Sequence, residues 1–513
     1  MSKKVFWIIA SIILVIGFFV RVVNIAQCPS GLNQDEASIG YEAFSLSNFG
    51  VDRNNQRMPV HFIAWGSGQN ALYAYLAIPF IKILGNTALS IRLPMALIGC
   101  LTLVVALVLI NSFKIKPHLK LLLLGLVVIM PWHIVKSRWG LESNLFPDLV
   151  FYATVLGYFA IKKKNPWLGV GSAVVLGLST YAYGTSYVFV PILLISGLIF
   201  LVCKKIVNYK IALAYVGITA LVALPMMLFV IINYFNLDSI QILGFTIPKL
   251  DYNRFTTITS VNGNFFTNCV LNLKNSLGIL WFQEDGLPLN YVPGFGIFYM
   301  FSMPFIIYGF VISFTKKYRS NLFLIANLAT LVAAFAVMLM TDPNINRVNV
   351  LWLPLLVYLS LGIMDLSQKN KVLMWTLVGL YSLSFFLFVV HYFGTYQDTI
   401  KTENRAGLDS IIINAEKSSY DRLFLAPEIG EPYIYFLYYT GYNTNDFYNE
   451  RIIADRNTMF QKVEQVGNVY FSIPSHLEAG DYLIAPSSVS IDMDENVCTK
   501  DISGNYSIID CTK

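Results

Sequence analysis

Two adjacent carboxylates, Asp35 and Glu36, stand in the stretch Gly31-Leu-Asn-Gln-Asp-Glu36, directly after the first apolar run of the chain. Ionisable groups that close to hydrocarbon are costly and are functional candidates by default. Such a carboxylate can act as a general base, or Asp35 can cap a helix starting near Ala37. Capping alone leaves Glu36 without a task. A second cluster follows the third apolar run, in Trp132-His-Ile-Val-Lys-Ser-Arg-Trp-Gly-Leu-Glu142. His133, Lys136 and Arg138 supply positive charge, and Glu142 supplies a carboxylate. An arginine fork matches phosphate oxygens and a lysine adds a point charge. The competing reading, side chains snorkelling at a membrane boundary, suits Lys136 better than Arg138. Asp342-Pro-Asn-Ile-Asn-Arg347 offers a second guanidinium for the same anion, or an interfacial anchor. Gln283-Glu-Asp-Gly-Leu-Pro-Leu-Asn290 adds Glu284 and Asp285, which can bind hydroxyl groups or build a solvated turn on Asp285-Gly286.

The elements that must position these groups are membrane helices. Of 513 residues, 56% are hydrophobic and 13% charged, with a mean hydropathy of +0.59, whereas soluble domains carry about 25% charged residues. About eleven apolar runs approach the roughly 20 residues that a bilayer requires: near 5–25, 88–110, 119–135, 147–161, 166–182, 187–203, 211–233, 296–315, 320–340, 348–366 and 371–393. The first run lacks a small-x-small cleavage site and reads as a retained anchor. Ala71–Leu84 is short, broken by Pro79 and charged at Lys82, which suits an interfacial or re-entrant helix.

Alternate connections are basic: Lys114, Lys116 and Lys120; Lys162 to Lys164; Lys204, Lys205 and Lys210; Lys316, Lys317 and Arg319; Lys369 and Lys371. Lysine and arginine near span ends stay cytoplasmic, so the N-terminus is expected inside. The polar blocks 26–87, 234–295 and 394–513 are expected on the extracytoplasmic face of the cell membrane. The net charge of +6 is thereby explained by topology, and nucleic acid is excluded as a partner.

Two domains are expected: a transmembrane part, 1–393, with outer loops 26–87 and 234–295, and a small extracytoplasmic α/β domain, 394–513. Strand-like stretches such as Leu423–Ala426 and Tyr482–Ala485 mark the latter, and the aromatic run Tyr433–Tyr439 reads as a buried helix. Cys100, Cys203 and Cys269 lie in or near apolar runs, and Cys28 lies at the mouth of the first. Cys498 and Cys511 fall in the polar C-terminal block, where an oxidising compartment permits a disulfide.

The order Asp35-Glu36 after the first span, Tyr73-Ala-Tyr-Leu, Arg92-Leu-Pro94 and Ser137-Arg138-Trp-Gly-Leu-Glu142 resembles the bacterial protein-mannosyltransferase and aminoarabinose-transferase group. These are membrane glycosyltransferases of the GT-C fold (families 39 and 83). The resemblance covers residues 1–200 well, continues more loosely to 393 through Asn290–Gly296 and Arg347–Pro354, and does not reach 394–513. It implies a polytopic α-helical GT-C architecture, a sugar donor on polyprenyl phosphate, and a protein, wall-polymer or glycolipid acceptor. It assigns the base to Asp35, with Glu36 alongside. Arg138, helped by Lys136 or Arg347, is then expected at the donor phosphate, and Glu142, His133, Tyr73, Arg92, Glu284 and Asp285 around the substrate. Trp65-Gly-Ser-Gly-Gln-Asn-Ala-Leu-Tyr73 departs from the family, where a Pro pair commonly precedes Leu-Tyr. No cofactor is expected: no dense ligand set is visible in the sequence, so turnover should be metal-independent, a divalent metal being the alternative source of positive charge. A transporter or flippase of a lipid-linked saccharide is the competing class, but related halves and broken helices around a midplane site are not legible in the sequence.

Overall fold

The computed structural model describes residues 1–253 and 264–512; the part of the outer block 234–295 at 254–263 lies outside the described residues. Two compact units form. The first comprises Met1–Val23, Met95–Met227 and Phe255–Tyr396, and the second Asn24–Pro94, Leu228–Arg254 and Gln397–Lys513. This division is not the one expected at residue 393, because the second unit gathers the first polar block together with the C-terminal segment.

Among the described residues, eight helices are long and apolar enough to cross a membrane, or nine if one bent pair is a single span. The eleven apolar runs differ from this count in three places. Run 166–182 is a helix Pro166–Leu178 closed by a 3-10 turn, Ser179–Tyr181. Run 296–315 holds only the short apolar helix Met300–Ser313. Run 119–135 is the bent pair, Pro117–Ile129 and Pro131–Ser137, which meet at 53°. Pro131 causes the break: it cannot donate to the preceding turn, and it pushes Met130 into extended backbone (φ −67°, ψ 125°). The protein is thus a polytopic α-helical membrane protein. The helix Lys3–Val22 turns Ile8, Ile12, Val15 and Phe19 outward, as hydrocarbon solvent allows. Its other face joins Phe6 and Ala10 to a core with Leu103, Leu124 and Val128.

In the second unit, seven strands form a mixed sheet: β1 (Arg422–Leu425), β2 (Ile452–Ile453), β3 (Val463–Val466), β4 (Val469–Tyr470), β5 (Asp481–Pro486), β6 (Thr499–Ser503) and β7 (Tyr506–Asp510), in the order β6-β7-β5-β1-β4-β3-β2. β1 runs parallel to β4 and β5. Its Leu423, Phe424 and Leu425 are buried, as are Leu483, Ile484 and Ala485 of β5, the continuous apolar pattern of strands covered on both faces. Helices Leu408–Ala415, Pro432–Thr440 and Thr444–Glu450 complete an α/β arrangement. The exposed edge strand β6 carries Lys500 and Asp501, which discourage further pairing. A Cys498–Cys511 disulfide closes the β6-β7 hairpin.

In the first unit, helices Met303–Ser313 and Trp352–Lys369 meet backbone to backbone. A Cβ on Gly309 would overlap the Tyr358 carbonyl, and one on Gly362 the Phe305 carbonyl. Small residues at a crossing let helices approach this closely where no hydrophobic force drives association. Gly309→Ala and Gly362→Ala should each destabilise the purified protein by about 1–3 kcal/mol, read as a lowered melting midpoint in detergent. Gly379→Ala, whose Cβ meets nothing within 4 Å, serves as the control.

Candidate active site

The helix carrying Asp35 and Glu36 runs Gln34–Phe49, and its cap is Asn33, not Asp35. The Asn33 side chain accepts from the Asp35 backbone N–H at 2.8 Å, and the Asn33 N–H donates to Glu36 Oε2 at 3.2 Å. The Asn33 side chain also accepts from the Glu36 backbone N–H, and together with the Asn33 N–H to Glu36 bond this forms a capping box. Capping therefore does not account for the Asp35 side chain.

Glu36 is fully buried and faces the equally buried Arg92. Arg92 Nε and Nη2 donate to Glu36 Oε1 and Oε2, both at 2.9 Å, a bidentate clamp. The same guanidinium donates to the carbonyls of Pro29 (2.7 Å) and Gly31 (2.6 Å), so it ties the turn before the helix to the first helical turn. Asp35 is half-buried. Tyr73 is buried and its hydroxyl donates to the Ile91 carbonyl at 2.5 Å, one residue before Arg92. The turn is also held by the C-terminal segment: Leu32 N–H donates to Asn404 O at 2.6 Å and Ser30 N–H to Gln397 Oε1 at 2.7 Å. Gly31 has φ +75°, and a Cβ there would lie 2.6 Å from the Ala406 nitrogen; only glycine meets both demands. Further along, Gly40 leaves room for the ring of Tyr438, from the helix Pro432–Thr440.

The second unit also holds ionisable groups that the sequence reading did not single out. Glu42, Asp52 and Arg53 are all buried. Arg53 Nε meets Glu42 Oε1 at 3.0 Å, its backbone N–H donates to Glu42 Oε2 at 3.0 Å, and its guanidinium lies 4.6 Å from the centre of the Trp65 ring. Burial, and then the neighbouring Glu42, push the Asp52 carboxyl well above the usual carboxylate range, although Asp52 Oδ1 accepts from the N–H groups of Asn54 and Gln56. Burial also raises Glu42, against the pull of Arg53. The signal in the sequence was Asp52-Arg53-Asn54 within a loop otherwise rich in aromatic and apolar residues.

In the first unit, the cationic cluster stands on and after the short helix Pro131–Ser137. Lys136 is buried and paired with Asp148 at 2.5 Å. His133 accepts from Arg21 at its Nδ1, with Arg21 Nη2 2.7 Å away, and turns Nε2 to within 3.8 Å of Asp148 Oδ1. Arg21 and Asp148 were also missed; both are charges inside apolar runs, which is itself a signal of a task. Arg138 is buried, donates to the carbonyls of Val20 (2.9 Å) and Val23 (2.8 Å), and has the Phe393 ring centre 4.8 Å from its guanidinium carbon. Glu142 is half-buried in the first turn of the helix Glu142–Lys163. Arg347 is more exposed and pairs with Asp342 at 2.8 Å. Asp285 accepts from Leu287 N–H at 3.0 Å and Asn290 Nδ2 at 2.6 Å, and also from Ile345 N–H at 2.8 Å. It thus builds the turn and joins it to the loop that carries Arg347. Glu284 beside it is half-buried. The predicted residues therefore fall into two groups, Asp35, Glu36, Tyr73 and Arg92 in the second unit and the remainder in the first. Among the described residues, no three His, Cys, Asp or Glu side chains converge as a metal-ligand set.

No family model matches the sequence. No curated protein matches it either. Solved structures do. ArnT from Cupriavidus metallidurans bound to undecaprenyl phosphate aligns with a TM-score of 0.54 and 10% identity over 99% of this chain and 98% of that one. The apo oligosaccharyltransferase of Archaeoglobus fulgidus aligns with a TM-score of 0.53 and 11% identity over 85% of this chain. The archaeal oligosaccharyltransferase AglB from the same organism, in complex with an inhibitory peptide and a dolichol-phosphate, gives 0.52 and 14%. The chain spans 64% and 63% of those two oligosaccharyltransferases. The likeness establishes the fold, the GT-C architecture that the sequence resemblance implied.

Two outcomes follow from the buried charges of the second unit. Arg92→Lys cannot reproduce the fork and leaves Glu36 and two carbonyls poorly paired, so thermal unfolding should show a loss of about 3–5 kcal/mol. Equal melting of Arg92→Lys and wild type would show that the clamp contributes nothing. For Asp52, a raised folded pKa means that its protonated form favours the fold at low pH, and this contribution fades as pH rises through the folded pKa. Asp52→Asn keeps an acceptor for Asn54 and Gln56 without a charge. Its melting midpoint should therefore fall less than that of wild type between pH 5 and 8, measured by scanning fluorimetry across that range.

Proposed function

We propose that this protein is a glycosyltransferase that moves a sugar from a polyprenyl-phosphate donor to an acceptor on the extracytoplasmic face of the cell membrane. The observation that carries this reading is the half-buried Asp35 next to a Glu36 already committed to Arg92. The two neighbours stand in different surroundings, Glu36 fully buried against Arg92 and Asp35 half-buried, within reach of an acceptor that comes from solvent. The fold supports the reading, since it is shared with proteins bound to undecaprenyl phosphate and dolichol-phosphate. So does the Cys498–Cys511 bond, which suits an oxidising compartment.

In the proposed step, Asp35 takes a proton from the acceptor hydroxyl or amine as that group attacks the anomeric carbon. The new glycosidic bond forms as the bond to the phosphate oxygen breaks, the polyprenyl phosphate leaves with the electron pair, and the anomeric configuration inverts. Arg138 is proposed to stabilise the leaving phosphate, with Lys136 and Arg347 as auxiliary charges. Lys136 neutralises Asp148, and Arg347 meets Asp342, which makes them auxiliary; an arginine fork matches two phosphate oxygens at once, which favours Arg138 for this role. Its donation to the carbonyls of Val20 and Val23 would fix the fork in place. Glu142, Glu284, Asp285, His133 and Tyr73 are proposed near the sugar or the acceptor, and Arg92 acts on both through Glu36. The sugar is a hexose or pentose, and the acceptor a protein, wall polymer or glycolipid.

The test is purified protein in lipid, a radiolabelled polyprenyl-phosphate sugar and an envelope acceptor fraction. Asp35→Asn should lower transfer by about 10²–10⁴ at unchanged melting temperature, and transfer by wild type should persist in excess EDTA. Full activity of Asp35→Asn would remove the proposed base, and loss in EDTA restored by a divalent cation would replace the metal-free mechanism.

A further inference from the structure

The helices of the first unit border three apolar cavities that the proposed chemistry does not use. One of about 480 Å³ lies among the helices Glu142–Lys163, Ser186–Cys203 and Leu322–Met340. A second, about 490 Å³, is lined from Ala88–Asn111 and Trp352–Lys369, and a third, about 860 Å³, from Lys3–Val22, Pro117–Ile129 and Lys371–Phe393. Aliphatic and aromatic side chains dominate their walls; in the first, Ser172 and Tyr215 meet at 2.9 Å, and the hydroxyls of Thr154, Ser196 and Thr330 donate to carbonyls of their own helices.

The charge pattern at their mouths is one-sided. No Asp or Glu lines any of the three. Arg319 lines the first, Lys114 and Lys317 the second, and Lys116, His118 and Lys371 the third. Lys317 is matched by Asp365 at 2.8 Å, but the side chains of Arg319, Lys116 and Lys371 make no ion pair or hydrogen bond among the described residues. All three mouths therefore belong to the basic connections. Within the helix Glu142–Lys163, the first cavity takes residues from Ala153 to Ile161, while Glu142 stands at the other end. At 1.5 Å per residue, Glu142 and Ile161 are roughly 28 Å apart, most of a bilayer's hydrocarbon thickness.

An apolar crevice with an uncompensated cation at its aqueous end offers both parts of what an anionic lipid needs: contact for an acyl chain, and a counter-charge for its head group. We propose that these cavities bind anionic glycerophospholipids of the leaflet bordering the basic loops. Acyl chains fill the crevices, and phosphate groups rest at Arg319, at Lys114 with Lys317, and at Lys116 with Lys371. This leaflet is the one opposite the proposed transfer chemistry, so the lipids are structural partners and not donors.

The experiment uses the full-length protein, delipidated in mild detergent and supplied with phosphatidylglycerol or phosphatidylcholine of matched acyl chains. Phosphatidylglycerol should raise the melting midpoint by ~2–5 °C more than phosphatidylcholine, and native mass spectrometry should retain it. Arg319→Gln and the cavity-filling Ala326→Phe should each remove one retained lipid, and Lys116→Gln with Lys371→Gln another. Lys210→Gln, a surface charge that lines none of the cavities, should retain the wild-type number. Equal stabilisation by the two lipids, or an equal loss in Lys210→Gln, would overturn the proposal in favour of unspecific surface charge. Displacement of the retained lipid by polyprenyl phosphate would overturn it in favour of a channel for the donor's tail. Sugar transfer plays no part in these readouts, so failure here leaves the catalytic reading intact.

Discussion

The candidate active site depends on one buried ion pair, Glu36 with Arg92. Both side chains are withdrawn from solvent, and desolvating two charges costs several kcal/mol per ion unless geometry and further hydrogen bonds restore it. Here the fork is bidentate, and the remaining donors reach the carbonyls of Pro29 and Gly31. The cost is offset only while the 29–31 turn and the first helical turn hold one arrangement. Neighbours on an α-helix are rotated by about 100°, so fixing Glu36 inward turns Asp35 to another direction. An Asp-Glu dipeptide thereby divides into a carboxylate that holds the turn and one that remains half-exposed.

The same constraint governs the first unit, where charges occur inside apolar helices. Arg21 donates to His133, Lys136 meets Asp148, and Arg138 closes onto the carbonyls of Val20 and of Val23, the residue after the helix Lys3–Val22. Buried charges in hydrocarbon surroundings persist only with partners. The break at Pro131 makes this network geometrically accessible, because it turns a short helix by 53° away from the span it follows. A single cyclic residue thus decides where a histidine, a lysine and an arginine point.

The sequence resemblance does not reach the segment after residue 396, yet this segment helps shape the candidate base. Gln397 and Asn404 bond to the turn at 30–32, Ala406 packs where Gly31 has no side chain, and Tyr438 fills the space left by Gly40. The α/β sheet behind these contacts is a scaffold for the loop that carries the candidate base as much as a separate domain. Its disulfide ties the β6-β7 hairpin, at the sheet edge farthest from β2.

The sequence by itself determined the solvent of this protein, the positions of its long spans, the α/β character of its C-terminal region and the residues worth suspecting. These are read from composition, run length and charge alternation, which act locally along the chain. Short spans and the bend at Pro131 were less legible, since a hydropathy run does not record where a helix stops within it. Asn33, not Asp35, capped the helix, a distinction that rests on side-chain geometry two residues apart. Only tertiary structure decided that Glu36 is held by Arg92, that Lys136 is neutralised by Asp148, and that Glu42, Asp52 and Arg53 share one interior. Partners 56, 12 and 11 residues apart meet because burial selects charges that satisfy one another, and no local pattern in the chain encodes that choice.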